Sequence, residues 1–301
     1  MTAPADLDRE LRSAVFAWLD EQTADREELT WAQLLRGFTF RGRPFALVTQ
    51  RGIRNVAGLD AALAFTTTYT PPGGRPPYRD VEGPDGLPRY KYRGIDPELP
   101  DNRAMRAAHR LGLPLVWFVG VDRGLFLARR PVYLVADEPD RLQFSVALDE
   151  EQYVAASSDI PLDVRQRNVL RLTRLRLHQP VFRAQVLRAY DTRCTVCRLK
   201  HQPLLDVAHI QPDSEGGLPV VPNGLAMCKI HHAAYDAGIL GIRPDYRVEV
   251  SEEVLRETDG PMLQHGLQEV HGWRLEVPKR VAERPDRERL AQRYSRFRRA
   301  S

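Results

Sequence analysis

Four residues of the kind that bind zinc stand in two short pairs in the second half of the chain. The pairs are Cys194-x-x-Cys197 and Cys228-x-x-His231, and they include all three cysteines of the protein. Two such pairs, about thirty residues apart, can surround one tetrahedral Zn²⁺ ion. The spacing therefore predicts a structural zinc site that closes this segment into a compact unit with little hydrophobic core of its own.

Polar residues between the two pairs are of types that take part in hydrolysis. Residues 204–210, LLDVAHI, alternate as a short strand does, which places Asp206 on the face opposite His209. The Pro-Asn-Gly sequence that follows is a turn signal, and it carries Asn223. The sequence thus predicts a strand with a histidine near its end and then a turn with an asparagine.

A second histidine stands on a predicted helix. Residues 225–238 have the pattern of a helix, with His232 and Asp236 four positions apart on one side. The predicted order of elements is therefore strand, loop and helix, which carry a His, an Asn and a His in turn.

This order and the local sequences resemble the HNH nuclease family, which has the ββα-metal fold, in its zinc-bound form. The stretches that carry the resemblance are AHI at 208–210 and NGLAMC-x-x-HH at 223–232. The likeness covers residues 180–250. The three positions that give the family its name are held here by His209, Asn223 and His232.

The resemblance implies a role for each of these positions. His209 is the general base, because an imidazole titrates near neutral pH and can take a proton from water. Asn223 orients that ring through a hydrogen bond. His232, with Asp236 and Asp206, binds one divalent cation, either Mg²⁺ or a transition-metal ion, against the scissile phosphate.

The chain departs from the family pattern just before the predicted base. Many members carry an acid or a histidine there, whereas this chain has Ala208. Asp206, two residues earlier on the same predicted strand face, is the residue that could take its place as a ligand.

Length and composition limit the class of protein. At 301 residues the chain has room for two domains with a buried core in each. The first residues, MTAPADLDRE, are polar, which predicts no signal peptide, and no apolar run reaches the roughly 18 residues of a membrane span. Because the metal cluster uses every cysteine, no disulfide framework is left, which fits a reducing cytoplasm. We therefore expect a cytoplasmic protein outside the membrane.

The first half of the chain is predicted to form helices followed by many short strands. Residues 6–36 carry apolar residues at helical spacing. From 38 to 150, seven or so β-branched or aromatic runs alternate with Gly and Pro clusters, and one helix is predicted at 102–111. Strands at this spacing favour a curved sheet or a small barrel.

Three motifs in this region resemble the SRA domain, a PUA-like barrel that binds methylated cytosine in DNA. They are PPGGRPPYRD at 71–80, YKYRG at 90–94 and DNRAM at 101–105. The resemblance implies that a flipped base stacks on aromatic rings while a carboxylate accepts its amino group. The residues that it assigns to this pocket are Tyr78, Asp80, Tyr92, Tyr69 and Tyr90.

The net charge of the chain is only +4, but its basic residues are unevenly placed. Between positions 165 and 200, nine arginines and one lysine stand against a single acid, Asp191. Such a stripe beside a nuclease site suits contacts to DNA phosphates. The predicted backbone contacts are Arg165, Arg171, Arg174, Arg183 and Arg188.

These features together predict an α+β protein in which helices join an SRA/PUA-like β-barrel to a zinc-bound ββα-metal domain. The predicted segments are N-terminal helices (1–36), an SRA-like domain (37–150), a helical linker (151–179), the HNH domain (180–250) and a basic C-terminal extension (251–301).

The predicted function is cleavage of double-stranded DNA that carries 5-methylcytosine or a similar modified base, as in modification-dependent restriction enzymes. Cutting both strands would need two nuclease sites, which favours a homodimer. Two alternatives stay open at this point. The barrel could read hydroxymethylcytosine, phosphorothioate or DNA shape, or the protein could be a catalytically silent zinc-containing DNA-binding protein.

Overall fold

The chain forms an α+β fold that divides into two compact units, Met1–Val181 (unit 1) and Phe182–Ser301 (unit 2). The computed structural model describes residues 4–24, 26–71, 83–156 and 169–300. Within this described part, no helix combines the length and apolarity that a bilayer span requires.

Unit 1 contains short helices around one sheet. Its α-helices in the described part are α1 (Pro4–Gln22), α2 (Trp31–Arg36), α3 (Pro100–Arg110) and α4 (Glu150–Ala156), and helical residues 169–173 lead into a π-helix (Arg174–His178). Its strands there are β1 (Glu28–Thr30), β2 (Phe38–Phe40), β3 (Arg43–Phe45), β4 (Ile53–Arg54), β5 (Ala64–Thr67), β6 (Arg89–Lys91), β7 (Leu115–Asp122), β8 (Leu125–Glu138) and β9 (Gln143–Ala147). Helix α3 confirms the helix predicted at 102–111.

The main sheet of unit 1 is a curled half-barrel. Its strand order is β4-β5-β7-β8-β9-β6, with β1 also paired to β8, and β2 and β3 form a separate hairpin. The long strand β8 produces the curl, because its first half pairs with β7 and its second half with β9. Shifts of register in both pairings mark bulges, which bend a strand and increase its twist. The sequence prediction of a curved sheet is thus confirmed at this level.

Both faces of this sheet are buried. Successive residues of a strand point to opposite faces, so Trp117 and Phe118 on β7 enter different hydrophobic clusters. Trp117 packs with Met105 of α3, whereas Phe118 packs with Leu11 of α1. This two-sided burial explains why residues 115–121 of β7 carry no polar side chain, where a strand with one solvent-exposed face would alternate.

Unit 2 is built around a hairpin and the helix that follows it. Its helices in the described part are α5 (Gln179–Ala189, which begins just before the unit boundary), α6 (Lys229–Asp236), α7 (Glu252–Arg256), α8 (Pro261–Gly266) and α9 (Arg287–Ala300). Its strands there are β10 (Leu205–His209), β11 (Gly224–Cys228), β12 (Leu240–Ile242) and β13 (Val248–Val250). Strands β10 and β11 pair antiparallel, and α6 follows at once, which gives the order ββα.

The helix predicted at 225–238 was placed too early. Residues Gly224–Cys228 form β11, and α6 begins only at Lys229. Every residue of β11 is buried, and each pairs with a residue of β10. The pairing across the hairpin therefore decides the structure of this apolar run, which local spacing alone leaves ambiguous.

The expectation that the metal unit has little hydrophobic core of its own is wrong, because its own Leu205, Leu225 and Met227 are buried in one cluster. The cluster that contains Cys194 and Cys228 also takes in Phe182 of α5, Val254 of α7 and Leu290 of α9. Segments on both sides of the metal unit therefore also contribute to its core. The chain after residue 250 packs as part of unit 2.

Candidate functional site

The four predicted zinc ligands come together in unit 2. One ligand atom from each of Cys194, Cys197, Cys228 and His231 lies within 4.8 Å of the others. The Sγ atoms of Cys197 and Cys228 are 3.9 Å apart, and Sγ of Cys194 is 3.5 Å from Nδ1 of His231. Two sulfurs in a tetrahedral zinc site are about 3.8 Å apart, given a Zn–S bond of about 2.3 Å. The geometry therefore fits a closed four-coordinate Cys₃His metal site.

Local structure explains how these ligands meet. Cys228 ends β11 and is the N-cap of α6, so it stands where the hairpin meets the helix. His231 follows in the first turn of α6, and its Nε2 lies 2.9 Å from the carbonyl oxygen of Gly266. When Nε2–H donates to that carbonyl, Nδ1 faces the sulfurs without a proton, as a metal ligand must. Hydrogen bonds from the thiols of Cys197 and Cys228 hold the pKa of Cys194 well below its usual range.

His232, the next residue of α6, belongs to a different group of side chains. Its Nδ1 lies 3.2 Å from Oδ2 of Asp206 on β10, and its Nε2 lies 3.2 Å from Oδ2 of Asp236 at the end of α6. The hydrogen bond to Asp206 raises the pKa of His232, and the same contact lowers the pKa of Asp206. Asp206 and Asp236 are also about half exposed, so an ion and a substrate can reach them.

The two carboxylates contact opposite nitrogens of the His232 ring, which the sequence did not indicate. A single cation on one nitrogen can therefore take as a second ligand only the carboxylate on that edge. The other carboxylate is then placed to orient the ring, as is usual for a metal-bound histidine. The residues present fit a site for one divalent cation with open coordination positions.

His209, the predicted base, is the last residue of β10 and pairs with Gly224 across the hairpin. Its ring stacks on Phe182 of α5, with ring centroids 4.4 Å apart. Burial lowers the pKa of His209 below its ordinary value, against the smaller opposing effects of Asp213 and Asp236. The imidazole is therefore neutral at pH 7, which is the form that accepts a proton.

Asn223 does not have the direct role that the family resemblance implied. Its side chain is fully buried, and its Nδ2 donates to the backbone carbonyls of Gln211 and Leu218, each at 3.0 Å. Its Oδ1 accepts from the backbone N–H of Gln211 at 2.9 Å. Because both amide protons are used by these carbonyls, Asn223 holds the loop that follows His209 and not the imidazole itself.

Gly224 permits the close approach of α5 to the hairpin. A Cβ atom at Gly224 would lie 2.5 Å from Val186 and 2.8 Å from Phe182. We expect Gly224→Ala to destabilise unit 2 by about 1–3 kcal/mol, the usual cost of overpacking a core. Displacement of Phe182 should also slow DNA cleavage, because that ring supports His209. Thermal melting and a cleavage time course measure the two effects.

The matched control for this substitution is Gly260→Ala. Gly260 has ordinary backbone angles, and no atom lies within 4 Å of the position of an added Cβ. Equal melting temperatures for the two variants would contradict the packing described around Gly224.

The residues predicted to form a modified-base pocket lie in unit 1, as far as the structure describes them. Tyr78 and Asp80 lie outside the described residues. Tyr90 and Tyr92 are only 9% and 2% exposed and pack in the core beside Phe65 and Phe144 respectively, whereas Tyr69 is half-buried. Their assignment to a base pocket remains a prediction.

The arginines predicted to contact the DNA backbone are divided between the units. Arg165 lies outside the described residues, Arg171 and Arg174 are exposed in unit 1, and Arg188 is exposed on α5. Arg183 is half-buried, donates to the carbonyl of Leu205 at 2.9 Å and lies 3.9 Å from Asp206. Arg183 is therefore the member of this set that lies beside the predicted catalytic group, by which we mean His209, His232, Asp206 and Asp236.

Three contributors to the site were not recognised in the sequence. They are Phe182 beneath His209, the carbonyl of Gly266 behind His231, and Arg293 of α9, whose Nη2 is 3.5 Å from Asp236. The helical apolar spacing of Phe182 predicted a core position, and nothing in it indicated contact with the base. The other two lie 35 and 57 residues along the chain from their partners.

The comparisons with known proteins fall on the same segment. Residues 194–243 match the family described as HNH endonuclease. No curated protein matches the chain. The matched segment contains all four cysteine and histidine metal ligands, and also His209, Asn223 and His232.

Two solved structures are similar to the chain over most of its length. One is the modification-dependent TagI restriction endonuclease, at 21% identity, with 82% of this chain and 85% of that chain covered and a TM-score of 0.32. The other is the type IV phosphorothioation-dependent restriction endonuclease ScoMcrA, at 15% identity, with 84% and 61% covered and a TM-score of 0.27.

Proposed function

We propose that this DNA endonuclease hydrolyses double-stranded DNA that carries modified bases, with 5-methylcytosine as the preferred modification. Its HNH endonuclease domain lies at residues 194–243. One observation carries the catalytic part of the proposal. A neutral, half-buried His209 ends strand β10, and the charge of His232 contributes to lowering the pKa of His209. His232 is itself held between two carboxylates.

His209 acts as the general base in this proposal. The attacking water gives a proton to the imidazole, which is available because burial keeps the ring neutral. Phe182 fixes the plane of the ring by stacking, and Asn223 fixes the loop that leaves the strand just after it. The base is thus positioned before DNA binds, so little reorganisation remains for the reaction.

His232 and its carboxylates hold the divalent cation. Such an ion supplies positive charge that stabilises the pentavalent phosphorane and the departing oxygen. One ring nitrogen of His232 is a ligand, and the carboxylate on that edge, from Asp206 or Asp236, is another. We assign Zn²⁺ to the Cys₃His site, where it holds α6 against the hairpin, and Mg²⁺ or a divalent transition metal to the site at His232.

Cleavage by this route leaves a 5′-phosphate. One unit 2 cuts one strand, so we propose that two copies of the chain act together as a homodimer on duplex DNA.

The modified-base reader is assigned to unit 1. The support for this assignment is the set of motifs that includes Tyr78, Asp80 and Tyr92, together with a curled sheet of the kind that a small barrel domain needs. A base turned out of the duplex would stack on an aromatic face, and a carboxylate would accept its exocyclic amino group. The methyl group adds a contact of about 1 kcal/mol.

Cleavage of matched plasmids tests the proposal. One plasmid preparation carries cytosine methylation and the other does not, and each is incubated with Mg²⁺, Mn²⁺, Co²⁺ and Ni²⁺ in parallel. We expect faster cutting of the methylated plasmid with at least one cation. Equal cutting would contradict the methyl-reading assignment, and faster cutting of hydroxymethylated or phosphorothioate DNA would reassign the modification.

Asp80→Ala is the matched variant for this experiment. Loss of the carboxylate should reduce the preference for modified DNA more than the overall affinity. An unchanged preference would place the pocket elsewhere in unit 1.

A further inference from the structure

The C-terminal helix α9 presents arginines toward the catalytic group. Its sequence, RERLAQRYSRFRRA, has six arginines and a single acid. Leu290 and Phe297 are seven residues apart, lie on one face and are buried. The ring of Phe297 packs where a side chain at Gly241 would stand, so the helix lies close against β12. This fixes which arginines face the body of unit 2.

Arg293 is on the inward face, one turn from Leu290. Its side chain is only 22% exposed, and its guanidinium lies over the ring of Tyr235, 5.0 Å from the centroid. Nη2 is 3.4 Å from the carbonyl of Tyr235 and 3.5 Å from Oδ1 of Asp236. A guanidinium has five N–H groups, and the bonds within the described part of the chain use only those on Nη2. Donors on Nε and Nη1 therefore remain for another acceptor.

Arg296, three residues later, reaches the other side of the site. It donates from Nη1 to Oε1 of Glu215 at 2.6 Å, and its side chain is 55% exposed. Glu215 lies in the loop that follows His209, and its backbone carbonyl accepts from Gln211 at 3.0 Å. Helix α9 thus contacts both the end of α6 and the loop after the base.

The two guanidiniums line one cavity of about 260 Å³. Its walls include Asp236 and Gly238, and no atom lies within 4 Å of the position that a Cβ at Gly238 would take. Besides apolar side chains such as Leu240 and Ile242, the cavity is therefore lined by the carboxylate of Asp236 and by the two guanidiniums. A DNA backbone phosphate is the anion that must pass beside Asp236 during cleavage.

We propose that this cavity is a phosphate subsite, in which Arg293 and Arg296 bind a DNA backbone phosphate that neighbours the scissile one. The planar fork of an arginine matches two phosphate oxygens, and such charge-assisted hydrogen bonds are strong. This inference rests on the proposed function, because it takes Asp236 to stand at the scissile phosphate. It gives the C-terminal helix a role in substrate binding. Packing of this helix against unit 2 does not by itself require an arginine on the inward face, whereas phosphate binding does.

The test measures DNA affinity as a function of salt in the full-length chain with His209→Ala, in which cleavage is slow enough for binding to be measured. The binding of a fluorescent duplex oligonucleotide is titrated between about 50 and 200 mM NaCl. The logarithm of the association constant falls linearly with the logarithm of the salt concentration, and each lost phosphate contact reduces the steepness of that slope by about 0.9. We expect Arg293→Gln and Arg296→Gln each to reduce the slope by about this amount and to weaken binding about threefold or more at low salt.

Arg299→Gln is the matched control. It removes the same charge from the same helix, but Arg299 is exposed and does not line the cavity. We expect its slope to equal that of the parent. An equal reduction of the salt-dependence slope in all three variants would show that the positive charge of the whole helix attracts DNA, and it would overturn the proposed subsite.

Stability is measured alongside binding, because Arg293 also holds Asp236. If Arg293→Gln melts early, the largely exposed Arg296 still provides the test, and an unchanged slope in folded Arg296→Gln would overturn the inference. Failure of the proposed function would appear differently, as DNA cutting by the His209→Ala parent at the wild-type rate.

Discussion

Cys194→Ser is expected to release the bound zinc and to unfold unit 2. Zinc binding contributes about 10–16 kcal/mol in small zinc modules, which is comparable to the whole stability of a domain at about 5–15 kcal/mol. Loss of one thiolate leaves Cys197 and the buried Cys228 and His231 without their common partner. Zinc content by mass spectrometry of metals and the thermal transition of unit 2 measure the effect.

The size of the Cys194 effect depends on where the site lies. Cys194 and Cys228 are part of the same buried cluster as Phe182 and Leu290, so the metal joins α5, the hairpin and α6 from inside the core. A chelator that removes zinc should therefore reproduce the Cys194→Ser phenotype in the wild-type chain. A folded Cys194→Ser protein with one zinc per chain would contradict the assignment of the ligands.

His209→Ala is expected to reduce cleavage by about 10²- to 10⁴-fold, the usual contribution of a general base. The substitution removes the proton acceptor but leaves His232, Asp206 and Asp236 in place to bind the cation. It also leaves all four ligands of the Cys₃His site, so the zinc content and the DNA affinity should remain near the wild-type values. Loss of the stack on Phe182 should cost some stability, which the melting temperature records.

Features set by neighbours along the chain were predictable from the sequence. The metal ligands pair at C-x-x-C and C-x-x-H spacings, and a hairpin followed by a helix is enough to bring the two pairs together. The positions of His209 on β10 and of His232 on α6 follow from the same local patterns. The sequence thus indicated the ligands of the Cys₃His cluster and the order of the elements that carry His209 and His232.

Features that depend on distant partners were not predictable. The run at 225–228 has the spacing of a helix, but pairing with β10 makes it a strand. The side chain of Asn223 bonds a loop backbone, and a family motif gives no account of which partner a buried amide will find. Tyr90 and Tyr92 illustrate the same limit, because strand alternation does not tell which face of a sheet becomes the core.

The contribution of the C-terminal segment illustrates a third case. Its arginines marked it as a basic extension without deciding whether it contacts DNA, and only the packing of Leu290 and Phe297 determines that Arg293 turns toward Asp236. A run of arginines in a sequence therefore indicates the kind of ligand, whereas the face of the helix that packs on the domain determines which arginines can bind it.

The central claim is that His209 takes a proton from the attacking water beside a cation held by His232. The most direct test is a single-turnover time course of plasmid cleavage by His209→Ala and by His201→Ala, a substitution at an exposed histidine of the same unit. We predict that His201→Ala cuts at the wild-type rate while His209→Ala, folded and loaded with zinc, cuts at least about 100-fold more slowly. Cleavage by the two variants at the same rate would contradict the claim.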